Sequence, residues 1–209
     1  MEKVHAVHHY NDLILLDLTS DEYFILDCES LSESEITSKV CTEFDIINLK
    51  IKNGLNEECG EAGFLEERWY PVESKFSPNG NVVFFILLLV NSFKYKRLSK
   101  RVMREGWDFI LNFSSKKEKN HTSDEKHLVI QIGLWMIENS FFLSPGKSDC
   151  LISSLFLKNY LNVKEIKSTL VVGVKTRPFF SHAWIEVDGE IVNDDPLLRS
   201  KLSVIIEVE

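Results

Sequence analysis

No apolar run in this sequence is long enough to cross a bilayer. The longest, Val82–Val90, falls far short of the roughly 20 residues a helical span requires. There is no basic excess either: 24 Lys and Arg stand against 32 Asp and Glu, a net charge of -8. Such a balance does not neutralise phosphates, which excludes generic nucleic-acid binding. The four cysteines show no CxxC spacing and no zinc-like pairing with histidine. Neither a metal-stapled nor a small disulfide scaffold is therefore expected, and the thiols are expected to be reduced. No P-loop, internal repeat or low-complexity tract is present. The stretch Met1–Tyr10 is polar and His-rich, unlike an apolar secretory signal. These absences lead to the expectation of a soluble, cytoplasmic protein. At 44% hydrophobic residues it has the apolar mass for a real core.

What is present divides near residues 74–81. Ser74-Lys75-Phe76-Ser77-Pro78-Asn79-Gly80-Asn81 is polar and punctuated by Pro and Gly, a linker pattern. It sets a domain over residues 1–76 and a second over 77–209. In the first, Asp12–Leu18 and Glu22–Asp27 read as strands joined by Thr19-Ser20-Asp21, and Val4–His9 adds a third. Ile36, Val40 and Phe44 recur every four residues, which predicts a helix over Leu31–Phe44. A second helical piece is expected over Ala62–Trp69, ahead of Pro71. About 75 residues is near the size at which a domain folds alone only marginally.

The second part is helical before it turns to strands. Val82–Phe113 has few breakers and its weak point at Gly106; its first stretch, Val82–Val90, is expected to be a buried helix. Ser123 is the expected N-cap of the next helix, with only half a capping box because Lys126 stands three residues on. That helix should cover Leu128–Phe142. Strands are then expected over Ser168–Thr176, over His182–Asp194 as a hairpin, and over Leu202–Val208. Helices against an antiparallel sheet make the fold class α+β.

Within that frame three residues carry chemistry. Cys150 follows the breakers Pro145 and Gly146 and opens the apolar run Leu151–Leu161, with Ser148 or Asp149 as N-cap. A thiol in a first helical turn meets free backbone N–H groups and the positive dipole end, which favours a thiolate. His182 lies in the strand His182–Val187, Asp188-Gly189 reads as a two-residue hairpin turn, and Asp194 ends the return strand. A nucleophile, a base and an orienting carboxylate are thus in place. Idealised register leaves the acid open. A strict two-residue turn pairs His182 with Asp195 and turns Asp194 to the other face, whereas a bulge or twist after Val192 reverses this.

The ordered set Cys150 … Ser181-His182-Ala183-Trp184-Ile185-Glu186-Val187 … Asn193-Asp194-Asp195-Pro196 resembles the transglutaminase-like (papain-like) cysteine protease fold. Over its full length the chain resembles the lasso-peptide B proteins, leader peptidases that mature lariat-shaped microcins. The supporting pieces are Phe64-Leu65-Glu66-Glu67-Arg68-Trp69, Lys147-Ser148-Asp149-Cys150, Val172–Phe179 and Lys201–Ile205. The resemblance implies a small winged-helix-like recognition domain of three strands and helices ahead of the protease domain. It implies that the leader peptide adds as a strand along Glu22, Tyr23, Phe24, Ile25, Leu26 and Asp27, beside a helix bearing Phe64, Leu65, Arg68 and Trp69. It also implies Cys150, His182 and Asp194 as the catalytic set, and a Thr at the penultimate leader position as a determinant of the cut. The partners it implies are the lasso-peptide precursor and an asparagine-synthetase-like lactam cyclase. No cofactor is expected on this chain; ATP enters, if at all, through the cyclase.

Blander readings stand beside these. Cys28, Cys41 and Cys59 read as inert core fillers. His5, His8 and His9 lack a carboxylate or thiol at ligand spacing, so no metal is expected. Trp184 reads as core or as a wall of the site. Lys94–Arg104, with six basic residues, reads as a solvated helix face. Two other functions share the same residues: an acyltransferase of transglutaminase type, in which an amine replaces water, and a non-catalytic peptide chaperone.

Overall fold

The computed structural model describes residues 3–44, 46, 49–55, 72–78, 82–113, 119–139 and 150–209. The chain gathers into two compact units. One comprises Met1–Trp69, Val172–His182 and Leu197–Glu207; the other comprises Tyr70–Val171, Ala183–Pro196 and Val208–Glu209.

In the first unit the three expected strands form as β1 (Val4–His9), β2 (Asp12–Asp17) and β3 (Glu22–Asp27), paired as an antiparallel meander. β4 (Ile51–Lys52) joins β1 in parallel, giving the order β3-β2-β1-β4. Alternation along the strands sends Val4, Ala6, Leu13 and Leu15 to one face, where they meet Ile36 and Val40 of α1 (Glu33–Glu43). α1 begins at a reciprocal cap: Ser32 Oγ accepts the Glu35 N–H, and the Glu35 carboxylate accepts the Ser32 N–H at 2.9 Å. The helix expected over Ala62–Trp69 lies outside the described residues.

The opposite face of the same strands is buried as well, through Val7, Ile14 and Leu16. His9 shares that face at 1% exposure, with Nδ1 2.9 Å from the Ser203 hydroxyl. The Ser203 oxygen also accepts the Leu55 N–H at 2.9 Å, and Lys52 Nζ donates to the Ile205 carbonyl at 2.9 Å. Burial pushes the His9 imidazole down to about 4, with the nearby Asp12 carboxylate pulling the other way.

β5 (Thr169–Lys175), β6 (Phe180–Val187), β7 (Glu190–Ile191) and β8 (Ser203–Val208) make a second four-stranded sheet in the order β7-β6-β5-β8. These are the strands the alternation predicts, and two sheets with helices confirm the α+β class. In the second unit the helices are α2 (Val82–Leu111), α3 (Ser123–Asn139) and α4 (Cys150–Val163). A short α5 (Leu198–Lys201) precedes β8. Gly106 interrupts α2 with φ 58° and ψ -142°, a conformation that costs a residue with a Cβ far more than glycine.

Two expectations fail here. The cap of α3 is Thr122, one residue earlier than expected. Its Oγ1 accepts the Glu125 N–H at 3.3 Å and the Glu125 carboxylate accepts the Thr122 N–H at 3.0 Å, so the box is complete. The Val82–Val90 stretch of α2 is helical but not buried. Phe84 packs against Phe76 and Trp135, with ring centroids 5.2 and 6.0 Å away, yet Phe85 is 62% exposed and Val82, Val83, Ile86 and Val90 are exposed too. With about 3.6 residues per turn, a run that is apolar at nearly every position points around the whole helix. A single packing face leaves most of it outside.

Candidate active site

Cys150 is the first residue of α4, half-buried, with a free thiol. The proposed caps Ser148 and Asp149 lie outside the described residues. Behind Cys150 the helix is embedded: Leu155, Leu157 and Leu161 are fully buried and Phe156 is 2% exposed. The polar Ser153, Ser154 and Lys158 are embedded with it. Ser154 and Lys158 follow Cys150 at four-residue steps, on one stripe of the helix. The buried Lys158 donates from Nζ to the Ser168 carbonyl at 2.6 Å, and burial lowers its pKa to about 8. Of the other cysteines, Cys28 and Cys41 are also free and half-buried, and Cys59 lies outside the described residues. Burial pushes the Cys28 thiol up, as befits an inert filler.

His182 sits in β6, buried, its ring stacked on Phe180 at 5.8 Å. Trp184, two residues on, is fully buried and donates its indole N–H to Glu186 at 2.8 Å, so it is a core residue. The β6–β7 turn is Asp188-Gly189 as expected, with φ 53° and 84°. Positive φ at both central positions is the type I′ hairpin requirement, which Gly189 meets without strain.

The hairpin register then ends early. Val187 pairs with Glu190, Glu186 with Ile191, and the Val192 N–H reaches the Ile185 carbonyl at 3.0 Å. A regular ladder would return the Ile185 N–H to the Val192 carbonyl. Here Asn193 Oδ1 accepts it at 2.7 Å. The side chain of Asn193 takes the place of the backbone, and the strict pairing that would carry on to His182 and Asp195 stops. Asp194 is buried, Asp195 is half-exposed, and the Asp195 N–H donates to Asp194 Oδ1 at 2.8 Å.

The other end of the Asn193 amide reaches α4. Its Nδ2 donates to Ser154 Oγ at 3.1 Å, and the Ser154 hydroxyl donates to the Ala183 carbonyl at 2.9 Å. All three residues are buried. One hydroxyl therefore joins the helix of Cys150, the residue after His182 and the residue before Asp194. Sequence reasoning passed over Ser154 and used Asn193 only as a marker for the acid. The readable signal was Ser154 one turn beyond Cys150 on the same face.

The strand expected over Glu22–Asp27 forms as β3. Among the described residues β3 pairs only with β2 in the first sheet and forms its outer edge. Glu22, Phe24, Ile25 and Asp27 are exposed, or nearly so, along it; Tyr23 lies 5.0 Å from the Phe179 ring, and Phe24 stands edge-on to Phe44 at 4.9 Å. Leu26 turns toward the α1 core. Phe64, Leu65, Arg68 and Trp69 lie outside the described residues. Among the described residues no three His, Cys, Asp or Glu side chains gather as a metal site would require, and no helix is long and apolar enough to cross a membrane.

Comparison with known proteins finds both a family and a relative. The transglutaminase-like superfamily matches residues 98–207, which include all three candidate catalytic positions. The chain is 35% identical over 204 residues to the microcin J25-processing protein McjB of Escherichia coli, covering 94% of this chain and 95% of that protein. No solved structure matches.

Proposed function

The chain belongs to the transglutaminase-like superfamily and is a lasso-peptide B protein, and from that premise we propose that it is the cysteine peptidase that removes the leader from a lasso-peptide precursor. The observation that supports the reading is the buried Ser154 hydroxyl, one turn beyond Cys150, which bonds to Ala183 and Asn193, the chain neighbours of His182 and Asp194.

In the proposed reaction the leader adds to the open edge of β3. Backbone hydrogen bonds supply affinity, and pockets for alternate side chains supply register. His182 takes the thiol proton of Cys150, and the sulfur attacks the carbonyl carbon at the leader–core junction. The Cys150 N–H, at the start of α4, stabilises the oxyanion. Collapse breaks the C–N bond, His182 hands its proton to the departing amine, and a leader thioester remains on Cys150. Water then attacks, again with His182 as base, and releases the leader carboxylate and the thiol. Asp194 keeps the imidazole in the working tautomer and stabilises its cation. Its burial and the Asp195 N–H on its Oδ1 support it over the half-exposed Asp195. The freed core amine is the group a lactam cyclase needs, and ATP enters at that partner's step.

The test is mass spectrometry of the precursor incubated with wild-type protein and with Cys150→Ala, with and without the cyclase and ATP. Leader release by the wild type alone supports the proposal. Equal release by the variant contradicts it, and a cross-linked or amidated leader in place of the free acid would assign the chain to acyl transfer.

A further inference from the structure

We propose that Ser154 and Asn193 are a pair of positioning residues for the peptidase reaction, acting through His182 and Asp194 without touching the substrate. The inference rests on the peptidase reading and deepens it. Its basis is where the hydrogen bonds fall. Ser154 Oγ donates to the Ala183 carbonyl and accepts from Asn193 Nδ2, so the hydroxyl is used in both directions. Asn193 is used at both ends too, since its Oδ1 holds the Ile185 N–H. Four groups thereby satisfy one another in a buried environment, where each would be costly to leave alone.

Asn193 does what a backbone carbonyl would otherwise do for Ile185. Taking that donor with a side chain ends the ladder after Val192 and frees the next backbone step, that of Asp194, from hairpin register. The main chain of Asn193 is held as well, its carbonyl accepting the Val72 N–H at 3.4 Å. A one-residue slip in a strand reverses every side chain, so the choice between Asp194 and Asp195 as the inward acid is made at Asn193. Ser154 ties that choice to α4, one turn beyond the nucleophile. Alanine at either position removes the tie without removing a reacting group.

Leader release is measured at several precursor concentrations for wild type, Cys150→Ala, Ser154→Ala, Asn193→Ala and the Ser154→Ala/Asn193→Ala double variant. Alkylation of Cys150 by iodoacetamide is followed without substrate, and thermal unfolding is recorded for each protein. The expected result is a kcat loss on the order of ten- to a hundredfold for each single variant, as sub-ångström misplacement of reacting groups produces. KM should stay within about twofold, because the leader-binding strand is untouched, and the double variant should be no worse than the weaker single, as for residues that act as a unit. Alkylation should slow, because the base is less well held. Mere loosening of the fold would expose the half-buried thiol and speed it. Should Ser154→Ala fail to fold, Asn193→Ala decides by the same readings. Full kcat in the folded single variants, with Cys150→Ala inactive, overturns the positioning role and leaves the peptidase reading standing. Cleavage by Cys150→Ala at the wild-type rate overturns both.

Discussion

The helix that begins with Cys150 and the first three turns of α2 are both rich in apolar residues and meet opposite fates. In α4 the apolar residues Leu155, Phe156, Leu157 and Leu161 are buried, and so are the polar Ser153, Ser154 and Lys158. Each of those three polar side chains is answered by a different segment: Tyr95 at 3.1 Å from Ser153, Ala183 and Asn193 at Ser154, the Ser168 carbonyl at Lys158. The start of α2 is inside out. Asn91 and Ser92 are buried while Phe85 and Phe93 are exposed, and the Asn91 amide is spent on the Leu87 carbonyl of its own helix, 2.7 Å away. Hydrophobicity sets how much a segment gains from burial. Directional partners on other segments set where it is buried, and a polar group that bonds within its own turn specifies no neighbour.

The contrast can be broken at several points. The largest effect is expected at the proposed nucleophile: Cys150→Ala should lower the rate of leader release by at least about a thousandfold, the scale seen when a covalent nucleophile is removed. Circular dichroism should be unchanged. Next, Phe156→Ala should cost about 3–5 kcal/mol in urea unfolding, as truncation of a buried aromatic does. A cost under 1 kcal/mol would mean that α4 is not embedded as described.

The His9–Ser203 pair of the first unit is an anchor of the same kind as those on α4, and it titrates. The folded imidazole takes its proton near 4, against an ordinary 6.5 when unfolded. As pH falls, the unfolded chain therefore binds the proton first. The contribution is fully present above pH 6.5 and is lost progressively down to about 4, roughly 3 kcal/mol in all. Urea midpoints taken between pH 7 and 4 should show this slope, and His9→Gln should remove it. The smallest effect is expected from Phe85→Ser, within about 0.5 kcal/mol because the side chain is mostly in solvent. A loss there as large as that of Phe156→Ala would erase the contrast.

Much of this was readable from the residues, and the exceptions share a cause. Alternation and short turns located β1–β3 and β5–β8, because a strand's side-chain period is local. The position of Cys150 was legible because an apolar run opens there and a helix begins with it; His182 was expected to open its strand and instead lies within β6. Exposure of Val82–Val90 was not, since an all-apolar run carries no periodicity to say which face packs. Thr122 lost the cap to Ser123 on paper because both residues suit it; the Glu125 carboxylate, three residues after Thr122, decides the matter. The Asp194 or Asp195 alternative turned on whether the hairpin stays in register. The ladder stops where Asn193 reaches a serine 39 residues away in the chain. No local pattern encodes such a contact.

If Cys150 cleaves the leader through a thioester, the intact mass of the protein quenched in acid during turnover reads that intermediate itself. The expected result is an adduct equal to the leader acyl group, located on Cys150 by peptide mapping, absent from Cys150→Ala, and decaying as free leader acid accumulates. Leader released at the full rate with no adduct at any quench time, or an adduct that persists in Cys150→Ala, would contradict it.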